Sequence, residues 1–328
     1  MRIENKIKTK VIGVDVDVVT TTLAIIDIRG NILAKDSFKT LEYLTANDFV
    51  SALSERIIML AEANGGYEEI RSVGMSAPSS NFITGCIENA ANLPWKGIIP
   101  LAAMLRDRLG LAVAVANDGH ITALGEYAFG SAHGMKDFVT VSLSHGGVGS
   151  CIFSSGQVHL GTNGSAGEIG HCCVEDGGRL CGCGRRGCLE EYASAKGMVR
   201  TAHELLEKSD TPSVLRYSTD FSPAALAEAS EHGDTIAIEV LKSAGRYLGQ
   251  GMAFYASIIN PEAIVLTGDI RQAGHWMLDP LAESFDEFVF PNIRNRVRII
   301  ISMLDEQERS LLGASALAWE VKEYSLFK

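Results

Sequence analysis

Two stretches of the chain, residues 10–34 (KVIGVDVDVVTTTLAIIDIRGNILA) and 137–161 (DFVTVSLSHGGVGSCIFSSGQVHLG), repeat one design. Each reads as three short strands with the alternation of half-buried strands, and the tight turns fall at Arg29-Gly30-Asn31 and Ser155-Gly156. Helical and parallel-strand segments follow both meanders. The chain is therefore expected to be an α/β protein built from two duplicated domains that face each other across a cleft. An amphipathic helix is expected near 46–64, a strand near 70–77 and another at 111–116. With 328 residues, 46% hydrophobic content and 33 glycines, the chain is long enough to bury two cores.

Between Gly167 and Ser194 the sequence reads GEIGHCCVEDGGRLCGCGRRGCLEEYAS. His171, Cys181, Cys183 and Cys188 can offer one imidazole nitrogen and three thiolates to a tetrahedral Zn²⁺, a closed structural set with no position left for a catalytic water. Glycines at 177, 178, 182, 184 and 187 let so short a segment turn until its sulfurs converge. The alternative is a group of reduced, buried cysteines beside a surface histidine. A disulfide framework fits less well, because the chain has 7 cysteines, an odd count, and no secretory signal precedes them. Cys86, Cys151, Cys172 and Cys173 are read as structural.

A formal charge of −11 without a basic cluster argues against nucleic acid as a partner, since that affinity comes from Lys and Arg neutralising phosphates. No apolar stretch approaches the roughly eighteen residues that span a bilayer. The expected setting is the reducing cytoplasm. Asn117-Asp118 follows a short apolar strand directly, where α/β proteins place reactive side chains. Taken alone, Asn-Asp before Gly is more often a plain turn.

The string Gly-Glu-Ile-Gly-His at 167–171, the cysteine cluster and Gly-Cys-Leu-Glu-Glu-Tyr-Ala-Ser at 187–194 closely resemble the signature of the ROK family, named for repressors, open reading frames and kinases. The resemblance continues through Ala77-Pro78, Asn92-Leu93-Pro94-Trp95-Lys96-Gly97, Asn117-Asp118, Ala123-Leu124-Gly125-Glu126 and Asn260-Pro261-Glu262. The chain looks most like the bacterial glucokinases of that family. The resemblance implies two ribonuclease H-like domains of the actin and hexokinase type. The first would hold residues 1–120 plus a returning helix within 306–328, and the second residues 121–305. It implies phosphorylation of a hexose by ATP with Mg²⁺, Asp118 as the general base, and a homodimer. It assigns sugar contacts to Asn92, Asn117, Asp118, Glu168, His171 and Glu190, with zinc fixing the loop that bears the two glutamates. Without the resemblance, Glu168 and Glu190 read as solvated helix-end charges.

The nucleotide side departs from the family pattern. Where ROK kinases carry Asp-x-Gly-Gly-Thr-Lys, this chain has Asp15-Val16-Asp17-Val18-Val19-Thr20. One glycine has become a carboxylate that repels polyphosphate. The other has become a β-branched residue that costs roughly 1–2 kcal/mol in a left-handed conformation. Asp15 retains the position likened to a Mg²⁺-organising aspartate. The second phosphate loop is carried by Ser144, Gly146, Gly147 and Gly149, and Gly268 stands where a glycine passes beneath adenine, followed by a further charge at Asp269. These changes suggest a second reading, a sugar-binding sensor without turnover. A DNA-binding repressor is disfavoured, because only about ten residues precede the first strand and leave no room for a helix-turn-helix.

Overall fold

The computed structural model describes residues 7–144 and 147–321. In chain order the elements are β1 (Lys10–Val16), β2 (Thr20–Asp27), β3 (Ile32–Lys39), α1 (Ala46–Ala63), β4 (Ile70–Ser76), β5 (Ser80–Asn81), β6 (Cys86–Glu88), β7 (Ile98–Ile99), α2 (Leu101–Leu109), β8 (Ala112–Ala116) and α3 (Asp118–Ala128). They continue with β9 (Phe138–Ser144), β10 (Gly147–Ser154), β11 (Gln157–Val158), α4 (Glu190–Ala193), α5 (Ala195–Lys208), α6 (Pro223–Glu231), α7 (Thr235–Ile259), β12 (Ala263–Gly268), α8 (His275–Phe288), β13 (Arg298–Ile301) and α9 (Glu306–Glu320). Of the final segment expected to be helical, residues 322–328 lie outside the described residues.

Two compact units divide the chain. One comprises Met1–His133, Gly161–Gly164 and Met303–Lys328, the other Gly134–Leu160 and Ser165–Ser302. The repeat seen in the sequence is a repeat of topology. The first unit has a five-stranded sheet in the order β3-β2-β1-β4-β8, and the second has β11-β10-β9-β12-β13. In each, an antiparallel meander is extended by two parallel strands. The central strand β1 is buried almost throughout, as a strand covered on both faces must be, whereas the edge strand β3 alternates and turns Lys35 and Lys39 outward. The turn at Ser155-Gly156 has both residues at positive φ, the backbone twist that a two-residue hairpin prefers.

In the first unit, α1 starts at Thr45, whose hydroxyl accepts from the Asp48 amide, and its apolar stripe of Phe49, Leu53 and Ile57 enters the core. The other face of the sheet is covered by α9. Residues Leu311 to Ala318 of that helix are all buried, which requires its backbone to lie very close to the strands. Two facing glycines make this possible: Gly13 and Gly74 are direct partners across the β1/β4 pair. A Cβ on Gly13 would come within 2.6 Å of the Leu311 carbonyl oxygen, and one on Gly74 would overlap the Ala314 carbonyl. The Ser72 hydroxyl donates to the Ala318 carbonyl at 2.6 Å and fixes the far end.

Replacing Gly74 by alanine is expected to cost about 1–3 kcal/mol by overpacking, read as a lower urea midpoint. An unchanged midpoint would mean that α9 can lift off its strands without loss.

Candidate functional site

In the second unit the segment 167–190 has almost no regular structure and is held by turns. After the short 3₁₀ turn Ile169–His171, an isolated bridge joins Cys173 to Cys188 and another joins Leu180 to Arg186. The Cys181 amide donates to the Arg185 carbonyl and the Gly184 amide to the Cys181 carbonyl, closing a tight hairpin. One ligand atom from each of His171, Cys181, Cys183 and Cys188 lies within 4.8 Å of all the others.

The spacing suits zinc. Tetrahedral bonds of about 2.3 Å to sulfur and 2.1 Å to nitrogen set ligand atoms about 3.6–3.8 Å apart. Cys183 Sγ and Cys188 Sγ are 3.6 Å apart, and Cys181 Sγ and His171 Nδ1 are 3.7 Å apart. A disulfide would need about 2.05 Å between sulfurs. Hydrogen bonds from the Arg185 backbone and side chain pull the Cys183 thiol down to about 6, toward the thiolate a metal requires, while burial pushes the Cys181 thiol up. Cys172 and Cys173 stay outside this group.

Glu190, the first residue of α4, is brought to the same place. Its Oε1 is 3.0 Å from Cys181 Sγ and 3.7 Å from His171 Nδ1, and its Oε2 lies 2.7 Å from where a Cβ on Gly147 would stand. Since Nδ1 of His171 faces the sulfurs, Nε2 lies at the opposite edge of the ring. Glu168 is exposed and accepts the His171 amide through its backbone carbonyl. Gly146 and the side chain of Ser144 lie outside the described residues. Space around Gly149 is open. Gly268 sits at φ 79°, and a Cβ there would overlap the Leu143 carbonyl, so strand packing by itself requires this glycine.

In the first unit the parallel strands end on one level: Asp15 pairs with Ser76, and Ser76 with Ala116. Asn117 and Asp118 follow at once. The Asn117 Oδ1 accepts the His120 amide at 2.8 Å and caps α3, which leaves its Nδ2 for other partners. Asp118 is exposed at the first helical position. Burial lifts the Asp15 carboxyl to about 6 against a hydrogen bond from Ser76, and the negative charges of Asp17 and Asp118 push it the same way. These three acidic groups therefore share one field.

The loop after β1 is not strained. Neither Val18 nor Val19 has positive φ, so the left-handed cost anticipated for a β-branched residue does not arise. Thr40 closes the loop instead, its hydroxyl donating to the Asp17 carbonyl at 2.7 Å and its amide to the Val19 carbonyl at 2.9 Å. Asn92 is exposed on a loop anchored by the buried Trp95, whose indole donates to the Tyr43 carbonyl. The sequence reading missed Lys96, whose ammonium gathers the carbonyls of Ala91 and Leu93 around Asn92 at 3.1 and 3.0 Å. It also missed His120, which burial holds neutral with a pKa near 4 beside the ring of Phe82. Lys96 stands inside the motif at 92–97 with no role assigned to it, and His120 carries no local signal beyond its own identity.

The sequence model of the ROK family matches residues 11–321. The chain is 32% identical to the glucokinase of Halalkalibacterium halodurans, over 95% of this chain and 94% of that one. It is also 32% identical to the DNA-binding transcriptional dual regulator NagC of Escherichia coli, over 66% of this chain and 52% of that one. Among solved structures it is similar to a ROK family glucokinase from Streptomyces griseus in complex with glucose and AMPPNP, at 29% identity and a TM-score of 0.73, covering 95% of this chain and 100% of that one. No helix among the described residues is long and apolar enough to cross a membrane.

In the unfolded chain the Asp15 carboxyl titrates near 3.8, so the folded state holds its proton more tightly. The stability this gives is complete below about pH 4 and is lost as pH rises through about 6, some 2 kcal/mol once its partial exposure is allowed for. Asp15→Asn is expected to raise the melting temperature at neutral pH and leave it nearly unchanged near pH 4. Equal effects at both would mean that the carboxyl is not held protonated.

Proposed function

Because the chain belongs to the ROK family, we propose that it is a sugar kinase that transfers the terminal phosphoryl group of ATP to a hexose, glucose-like and at the 6-hydroxyl. The observation that carries this reading is the shared level of the strand ends, which sets Asp118 beside Asp15. Similarity to glucokinases over nearly the whole chain supports it.

Asp118, exposed and fixed by the helix start, would accept the proton of the attacking hydroxyl as that oxygen bonds to phosphorus and the bond to ADP breaks. Ring hydroxyls both donate and accept, and the proposed partners offer both: Asn92, the Asn117 Nδ2, Asp118, Glu168, the His171 Nε2 and Glu190. The backbone around Ser144, Gly146, Gly147, Gly149 and Gly268 would take the nucleotide. Asp15 fits a hard divalent cation, being a carboxylate whose charge is costly until something positive faces it. Magnesium arriving with ATP supplies that charge and offsets the phosphates. Zinc at His171, Cys181, Cys183 and Cys188 would shape the loop and take no part in the chemistry.

A second reading, a sugar sensor without turnover, rests on Asp17 and Val18 standing where kinases of this kind carry glycines. ADP release from Mg-ATP across a panel of hexoses and N-acetylhexosamines separates the two. Sugar-dependent release is expected, falling about 10²–10⁴-fold in Asp118→Asn. Silence across the panel from a folded protein that a sugar still stabilises would sink the kinase and leave the sensor.

Removal of zinc by a chelator is expected to lower the melting temperature and sugar affinity together. Undiminished sugar binding by verified metal-free protein would count against the proposed link between metal and sugar.

A further inference from the structure

Building on the kinase reading, we propose that Arg179 is the positioning residue of the sugar-binding loop, acting through Glu190 and Cys181 without touching the sugar. Arg179 precedes Cys181 by two residues, and its side chain is only 10% exposed. The guanidinium donates to the carbonyls of Glu191 and Gly197 at 2.6 and 3.2 Å, to the Thr201 hydroxyl at 3.0 Å and to Glu204 Oε2 at 2.7 Å. Its plane lies over the ring of Tyr192 at 4.7 Å, and the Arg179 amide donates to the Tyr192 hydroxyl at 2.8 Å.

One side chain therefore grips α4 and α5 together. The backbone of the same residue holds the metal hairpin, because the Arg179 carbonyl accepts the Gly187 amide at 2.8 Å. Glu190 is the first residue of α4. Its carboxylate can keep its 3.7 Å approach to His171 Nδ1 only while the hairpin and that helix stay in register. Zinc would tie the four ligands to one another and, through Cys188, to the start of α4, but it would not tie α4 to α5 or the Arg179 end of the hairpin to either helix. Arg179 supplies that second constraint, and the flat fork of a guanidinium is what allows four acceptors on two helices to be met at once. The ammonium of lysine, a point charge, cannot span them.

The test uses the full zinc-loaded chain with Arg179→Lys and, in case that variant does not fold, Glu204→Gln, which removes the negative charge that faces Arg179 and its neighbour Arg200. Arg179→Lys is expected to weaken hexose binding by calorimetry about 10-fold and to speed zinc release to a chromogenic chelator about 10-fold. In turnover the hexose KM rises while kcat and the KM for Mg-ATP hold. Glu204→Gln shifts the same quantities in the same direction, by less. A residue that merely stabilised the fold would lower the melting temperature and leave the hexose KM alone. Wild-type hexose affinity and zinc release in a folded variant would overturn the proposal. If the unaltered protein binds no hexose, the kinase reading fails instead. Zinc release then decides for Arg179 by itself: faster release sustains its role, and an unchanged rate overturns it.

Discussion

The first unit depends on how closely one helix backbone can approach two strands. α9 is buried along eight consecutive residues, and it reaches that depth because Gly13 and Gly74 face each other beneath it. The arrangement extends sideways: a Cβ on Gly313 of α9 would overlap the Ile121 carbonyl of α3, and Gly125 of α3 lies opposite Gly313. α3 is therefore seated against α9, and α3 begins with Asp118. Asp15 lies two residues beyond Gly13 on the same strand, and the positive charge of Arg309 at the start of α9 acts to lower its pKa. The chemistry proposed for this unit is thus placed by the absence of side chains at a few backbone positions. α7 meets α8 by the same means in the second unit, where Gly245 and Gly249 lie against the Met277 and Leu281 carbonyls.

The second unit solves a different problem. A segment from 167 to 190 with hardly a ladder of its own is not held by burial alone, although Ile169, Val174 and Leu189 anchor it in the core. Directional bonds add to that hold: the Arg179 fork is backed by Tyr192 against Tyr247 at 4.3 Å, and His171 with three cysteines would add a second set once a metal is bound. Tyr247 donates to Glu175, and Gln250 to the Val174 carbonyl, so α7 joins the same support.

What the sequence made legible was whatever has a period or a spacing. The two meanders predicted two similar sheets, and their strand orders match step for step. The periodic helix expected near 46–64 is α1, Ala46–Ala63, and the apolar run at 111–116 is β8, Ala112–Ala116. The ligand spacing of His171, Cys181, Cys183 and Cys188 showed the cluster because short chain segments constrain where their sulfurs can go. Arg179 and Lys96 were invisible for the opposite reason. Their partners are carbonyls, present at every residue, and only the folded path decides which ones converge. Gly268 was legible as a glycine but not for its cause, since the close pass to Leu143 exists only once β12 lies beside β9.

The departures after β1 gain a definite physical meaning from the structure. The loss of two glycines would matter in two ways, through backbone strain and through charge. Left-handed strain does not arise, because neither Asp17 nor Val18 has positive φ, and Thr40 closes the loop with two hydrogen bonds. What differs is electrostatic: Asp17 adds to the field that already raises Asp15, next to Asp118. A field of that sign opposes a bare polyphosphate and favours one that arrives with its cation. On the proposed kinase reading, the loop after β1 would therefore act on nucleotide binding through charge compensation at Asp15 and not through strain in its backbone.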